Sequence, residues 1–203
     1  MKPSSAQATA GKPVVVMLHG RNAGPANILD LVPRLARPQF EYVAPAAPHR
    51  TWYPYSFMAD VAKNEPFLSD ALAKVRGAVE DAEAQGLPRH KIILLGFSQG
   101  ACLATEFMIR NASRFGGLLA LSGGAIGPPG TTWKYPGDLA GTPMFFGCSD
   151  VDAHVPEARV RESAAVCERM GANVTTKIYP GMGHLVNDDE IAHARALLDS
   201  VLL

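Results

Sequence analysis

Neither sign of charge is in excess in this sequence: nineteen Lys and Arg stand against nineteen Asp and Glu. A balanced chain has no long-range field to attract a polyanion, so nucleic acid is not an expected partner. Long apolar runs are also missing. None approaches the ~20 residues that span a bilayer, so no membrane partner is expected. The opening MKPSSAQATAGKP is small and polar, without the apolar core of a secretory signal. Cysteine is scarce. Cys102, Cys148 and Cys167 are odd in number and have no metal-ligand spacing, which leaves them as small buried hydrophobes. No metal or cofactor is implied, and the expected address is the reducing cytoplasm. Internal repeats, long charge runs and clear linkers are absent too. Residues 1–13 read as a flexible tail, and 14–203 as one domain long enough to bury a sizeable core.

What the chain does have is alternation. Short β-rich runs begin at Val14 (VVVML), Phe40 (FEYVAPA), Lys91 (KIILL), Gly117 (GLLALSG), Pro143 (PMFFG) and Val174 (VTTKIY). Stretches of helical periodicity lie between and after them, over 26–36, 66–85, 99–111, 157–170 and 188–202. The gap 124–142 is rich in glycine and proline and reads as a loop. Strands alternating with helices predict an α/β fold, a mostly parallel sheet with helices on both faces. In such sheets the chemistry gathers beyond the carboxyl ends of the strands.

Four strand ends stand out. The first is LHGRNAGP, a His-Gly turn of small residues that leaves backbone N–H groups free to face a ligand. It matches neither a Walker lysine motif nor G-x-G-x-x-G, so a nucleotide-binding reading is weak. The second is GFSQG, with Ser98 between a buried strand and a helix and with Gly96 and Gly100 flanking it. G-x-S-x-G alone arises by chance in roughly one chain in ten of this composition. The strand–turn–helix context is what raises it to a nucleophile candidate. The third is GCSDVDAHVP, where Asp150 and Asp152 precede a helix and either would serve equally as a cap. The fourth is YPGMGHLV, which places His184 in a glycine-flanked loop.

Serine, aspartate and histidine therefore follow one another at strand ends, and each residue type answers a need. A hydroxyl is a weak nucleophile at neutral pH and needs an imidazole to take its proton. The imidazole needs a carboxylate to fix its tautomer and stabilise its charged form. An oxyanion needs N–H donors, which the turn after His19-Gly20 and the start of the Ser98 helix can supply.

With these motifs in that order, the sequence resembles the phospholipase/carboxylesterase branch of the α/β-hydrolases, which includes bacterial carboxylesterases and acyl-protein thioesterases. The similarity runs from about Val14 to the C-terminus and rests on LHG, GFSQG, D-x-x-V-P at Asp152–Pro156, and YPGMGH. It implies a minimal α/β-hydrolase fold of about six mostly parallel strands, without the antiparallel N-terminal strands of larger relatives. It also implies a serine hydrolase acting on carboxylic esters or thioesters through an acyl-enzyme on Ser98, with His184 as base. The D-x-x-V-P spacing selects Asp152 over Asp150 as the residue orienting that base. The oxyanion hole implied is the backbone N–H groups of Arg21 and Gln99. Asn22 stands where relatives often have glycine, and Asn tolerates left-handed backbone.

The substrate side is less marked. No long helical insertion follows the fourth strand, so no sizeable lid is expected. The segment APAAPHRTWYPYSFMAD offers Trp52, Tyr53, Phe57 and Met58 as walls of an acyl or aryl pocket. So little wall suits short to medium acyl groups of a small-molecule ester or thioester. Lactones and aryl esters are an alternative. A protein that keeps the hydrolase shell only for binding is a second class, separable by labelling with a fluorophosphonate, which needs an activated serine.

Overall fold

The computed structural model describes residues 11–203. Of the tail expected over 1–13, residues 1–10 lie outside the described residues. Among the described residues, strands β1 (Val14–Leu18), β2 (Glu41–Val43), β3 (Ile92–Phe97), β4 (Gly117–Leu121), β5 (Pro143–Ser149) and β6 (Asn173–Tyr179) form one parallel sheet in the order β2-β1-β3-β4-β5-β6. The helices are α1 (Pro25–Leu29), α2 (Val32–Leu35), α3 (Val61–Asn64), α4 (Phe67–Ala84), α5 (Gln99–Arg110), α6 (Glu157–Arg169) and α7 (Asp188–Leu202).

The strands are apolar on both faces because both faces are covered. Alternate side chains of β1 enter different cores. Val14, Val16 and Leu18 pack with Leu68, Val75 and Val79 of α4, with α5, and with Val160 and Ala164 of α6. Val15 and Met17 pack with Ile28 of α1, Leu35 of α2, and Ile191, Ala194 and Leu198 of α7. Each such side chain, fully buried, contributes about 1.5–3 kcal/mol.

The register brings the strand ends level. Leu18 lies beside Gly96, Phe97 beside Leu121, and Leu121 beside Gly147. The residues that follow β1, β3, β4 and β5 therefore emerge along one edge of the sheet.

Local chemistry explains where the elements depart from expectation. The helix expected over 26–36 is divided into α1 and α2. Pro33 has no N–H to donate, and its ring would clash with the Leu29 carbonyl, so α1 ends there. The second strand is only three residues long, stopping before Pro45, whereas β3 and β5 run further than their apolar cores suggested. The loop expected over 124–142 carries no helix or strand and is packed down. Arg159 donates to the Ala125 and Gly127 carbonyls at 3.0 and 2.7 Å, and Trp133 donates to the Ile126 carbonyl at 2.9 Å. Among the described residues no large lid covers the strand ends.

Candidate active site

Ser98 sits where β3 turns into α5, with φ 56° and ψ −122°, a backbone that L-residues rarely adopt. Sequence explains how the turn can be this tight. A Cβ on Gly96 would lie 2.4 Å from the Gly100 carbonyl, and one on Gly100 would lie 2.0 Å from the Leu18 carbonyl oxygen. Only glycine at both positions lets β1, β3 and α5 meet around the serine. The Ser98 N–H donates to the Leu121 carbonyl at 2.9 Å, which fixes the turn to β4.

His184 reaches Ser98 from the loop after β6. Its Nε2 is 2.9 Å from Ser98 Oγ, and its Nδ1 is 2.7 Å from Asp152 Oδ2. A carboxylate only accepts, so Nδ1 carries the proton and Nε2 is left to accept from the serine hydroxyl. The Asp152 side chain is completely buried. Its second oxygen, Oδ1, accepts the backbone N–H groups of His154 and Val155 at 2.8 and 3.0 Å. Burial by itself would raise this carboxyl; the hydrogen bonds from His184 and the two backbone N–H groups outweigh that and hold it below the ordinary aspartate value. Asp152 is thus a carboxylate at neutral pH.

The neighbouring carboxylate does a different job. Asp150 Oδ1 accepts the Gly181 N–H at 2.8 Å, and Ser149 Oγ accepts the Gly183 N–H at 3.0 Å, so both hold the backbone of the histidine loop. The structure therefore brings Asp152, not Asp150, to His184. At the far end of that loop Asn187 and Glu190 cap α7 reciprocally.

The turn after β1 completes the edge. Asn22 has φ 62°, the left-handed geometry for which glycine is usual, so the turn keeps its shape without one. Its N–H is bonded to the Arg50 carbonyl at 2.8 Å, and that of Ala23 to the Gly20 carbonyl at 3.2 Å. Among the described residues the backbone N–H groups of Arg21 and Gln99 have no protein acceptor. Gly20 passes close to Ser98, where an added Cβ would be 3.4 Å from the serine Cβ.

A cleft of about 480 Å³ opens at this point, lined by Arg21, Tyr53, Phe57, Ser98, Cys102 and His184 among others. Burial pushes the Cys102 thiol up to about 12, so Ser98 and not Cys102 is the candidate nucleophile of the cleft. Of the four side chains expected to wall a pocket, Tyr53 and Phe57 line this cleft, and Trp52 and Met58 do not. Trp52 is tucked behind the first turn, its indole N–H donating to the His19 carbonyl at 2.8 Å and its ring 4.9 Å from the His19 ring. An indole N–H removed from water needs an acceptor, and the His19 carbonyl supplies it. Met58 packs against the core instead.

Sequence reasoning also missed two side chains whose main chains it had singled out. The Gln99 amide accepts the Trp52 N–H at 3.0 Å and donates to the Tyr53 carbonyl at 2.8 Å. The Arg21 guanidinium donates to the Pro54 and Tyr55 carbonyls at 2.8 and 2.7 Å. Together they clamp the backbone of 52–55 against the two N–H groups. The available signal was a glutamine at the start of a buried helix, where a side-chain amide must find partners.

Among the described residues no cluster of His, Cys, Asp and Glu is arranged to hold a metal ion, and no helix is long and apolar enough to cross a membrane.

Comparison with known proteins agrees with this architecture. The family model for Phospholipase/Carboxylesterase matches residues 5–202. The crystal structure of a phospholipase/carboxylesterase from Dyadobacter fermentans superposes with a TM-score of 0.88 at 43% identity, covering 95% of this chain and 91% of that one. An acyl-protein thioesterase 1 from Eremothecium gossypii is 28% identical over 97% of this chain and 92% of its own length. A probable carboxylesterase, SOBER1-like, from Arabidopsis thaliana is 23% identical over 91% of this chain and 77% of its own.

Proposed function

The chain belongs to the phospholipase/carboxylesterase family and is an ester or thioester hydrolase, and we propose that it works through an acyl-enzyme on Ser98 with short to medium acyl groups. One observation carries this reading: the relay Ser98–His184–Asp152, at 2.9 and 2.7 Å, stands at a cleft beside two backbone N–H groups without acceptors.

In this reading Ser98 Oγ attacks the acyl carbon while its proton passes to His184 Nε2. The imidazolium formed is stabilised by the Asp152 carboxylate, which stays ionised throughout. The carbonyl oxygen gains charge and accepts the N–H groups of Arg21 and Gln99, at the N-terminus of α5 where peptide dipoles also favour a negative group. Collapse breaks the bond to the alcohol or thiol, which leaves with the proton from His184. A water then gives a proton to His184 and attacks the acyl-serine. The acid departs, and the serine takes its proton back.

The limited cleft supports the size preference. Each methylene buried adds about 0.8 kcal/mol of binding only while wall remains to cover it. With Phe57, Tyr53 and Cys102 closing the cleft, kcat/KM should rise over the first few acyl carbons and then level off or fall. Equal performance of acetyl and long-chain esters would contradict this. The nucleophile is tested by a fluorophosphonate probe and by Ser98→Ala. The probe should label the wild type and not the variant, and turnover should fall on the order of 10⁶-fold. Retention of a tenth of the activity would remove Ser98 from the role.

A further inference from the structure

Besides the free N–H groups of Arg21 and Gln99, one buried polar side-chain atom on the cleft lining has no partner among the described residues. Tyr53 is 1% exposed, and its hydroxyl has no hydrogen-bond partner. The backbone around it is held at several points. Gln99 holds the Trp52 N–H and the Tyr53 carbonyl, Arg21 holds the Pro54 and Tyr55 carbonyls, and Asn64 Oδ1 accepts the Tyr55 N–H at 2.9 Å. The Cys102 thiol beside it raises the phenol further but, as a weak partner, leaves the hydroxyl unsatisfied. That sulfur instead accepts the Gly124 N–H at 3.5 Å. Burial, then Cys102, keep the phenol far above its ordinary value, so the group is an O–H at every working pH.

A buried, clamped and unpartnered hydroxyl is an exception in a folded protein and calls for an explanation. Water or a ligand atom must meet it, and Tyr53 lines the same cleft as Ser98. Its place within that cleft decides which part of a substrate it meets. His184 hands its proton to the leaving group, and on the side of His184 a second groove of about 410 Å³ runs past Ile28, Leu31, Leu185 and Val186. With the leaving group taken in that groove, the wall of Tyr53, Phe57 and Cys102 is left for the acyl chain.

We propose that Tyr53 is a specificity-determining residue whose hydroxyl donates to an oxygen carried on the substrate's acyl chain, so that the preferred substrates are oxygen-bearing acyl esters or thioesters and not plain alkanoates. A site built to hydrogen-bond a substrate group discriminates strongly against the analogue without it, because the site's own group is then left unpaired. The inference rests on the acyl-enzyme reading above.

Two pairs of 4-nitrophenyl esters test it: methoxyacetate against butanoate, and 3-methoxypropanoate against pentanoate. Within each pair an ether oxygen replaces one methylene. The readout is the ratio of kcat/KM within a pair, compared between wild type and Tyr53→Phe, so that intrinsic reactivity and any loss common to both esters cancel. In at least one pair the ratio should fall about tenfold in the variant. Thermal unfolding of Tyr53→Phe should occur at the wild-type temperature or above it, because the phenylalanine removes a buried group that nothing in the protein satisfies. Ratios within twofold of wild type in both pairs would overturn the proposal, as would melting several degrees lower with the ratios unchanged. Those results leave the acyl-enzyme standing if Ser98 still labels with a fluorophosphonate. Absence of both labelling and hydrolysis in the wild type would overturn the two together.

Discussion

Two aspartates two residues apart offer a sharp test, because the structure gives them opposite duties. In Asp152→Asn the new amide has one oxygen and one NH₂ to place. The Oδ1 position faces the N–H groups of both His154 and Val155 at 2.8 and 3.0 Å, so an NH₂ there would meet two donors. The oxygen stays on that side, and the NH₂ turns to His184 Nδ1. That nitrogen must then accept, which moves the ring proton to Nε2, where it faces Ser98 and cannot take the serine's proton. The fold survives with the wrong tautomer. A loss of about 10⁴-fold in kcat is expected, equivalent to about 5 kcal/mol of transition-state stabilisation. In Asp150→Asn the side-chain oxygen still accepts the Gly181 N–H, and only the charge assistance of one exposed hydrogen bond is lost. The cost should be under about tenfold. Steady-state hydrolysis of a short-chain 4-nitrophenyl ester measures both, with circular dichroism to confirm folding. Equal losses, or a larger loss at Asp150, would refute the tautomer argument.

Two further substitutions follow. Glu190 is fully buried, with one carboxyl oxygen unpartnered and the other accepting the Asn187 N–H, and burial pushes it up to about 7. Its folded value exceeds the unfolded one, so the stability it gives is present below the ordinary glutamate value and lost as pH rises through about 7. Glu190→Gln should therefore exceed the wild type by up to about 3 kcal/mol at pH 8 and approach it only below the ordinary glutamate value, at about pH 4; urea unfolding at both pH values would show it, and a pH-independent difference would refute it. Trp52→Ala, by contrast, should cost about 3–5 kcal/mol of stability and leave the acyl-length profile of the residual activity unchanged, because the indole packs behind the turn and not in the cleft. A flattened profile with unchanged stability would put Trp52 back on the cleft wall.

How far the sequence could be read depended on whether a feature is local. α7 occupies the expected residues, 188–202, because its start is written in the chain as Asn187 with Glu190 three residues on. The parallel sheet was legible from apolar runs alternating with helical periodicity, and the turn at Ser98 from two glycines at fixed offsets. What escaped was directional. Nothing in the spacing of Asp150 and Asp152 says which carboxylate faces a histidine thirty-odd residues away; resemblance chose one, and the backbone N–H groups of 154, 155 and 181 show what each accepts. An aromatic-rich loop announces bulk but not the side on which each ring falls. Trp52 went to the carbonyl that could satisfy its N–H, while Tyr53 went to the cleft lining with its hydroxyl buried and unpartnered.

The edge that carries these groups is also where backbone strain gathers. Among the described residues seven that are not glycine have positive φ, and five of them, Asn22, His49, Arg50, Ser98 and Ser122, follow the ends of β1, β2, β3 and β4. Outside glycine such conformations cost of order 1–3 kcal/mol each and persist only where surrounding structure over-determines them. Here the over-determination can be traced bond by bond. The Arg50 carbonyl takes the Asn22 N–H, the Leu121 carbonyl takes that of Ser98, and the Gly147 carbonyl takes that of Ser122, at 2.8, 2.9 and 2.7 Å. Asn22, Ser98 and Ser122 are thus each tied to a neighbouring strand or its following loop. Asn22 and Ser98 are bound to carbonyls, whereas the N–H groups of the residues beside them in sequence, Arg21 and Gln99, have no protein acceptor among the described residues. The side chains of those two residues then clamp the loop that carries Tyr53. Strain, free donors and cleft wall are one connected arrangement, in which the Arg50 carbonyl, distant in sequence from Ser98, holds the turn that carries the Arg21 N–H.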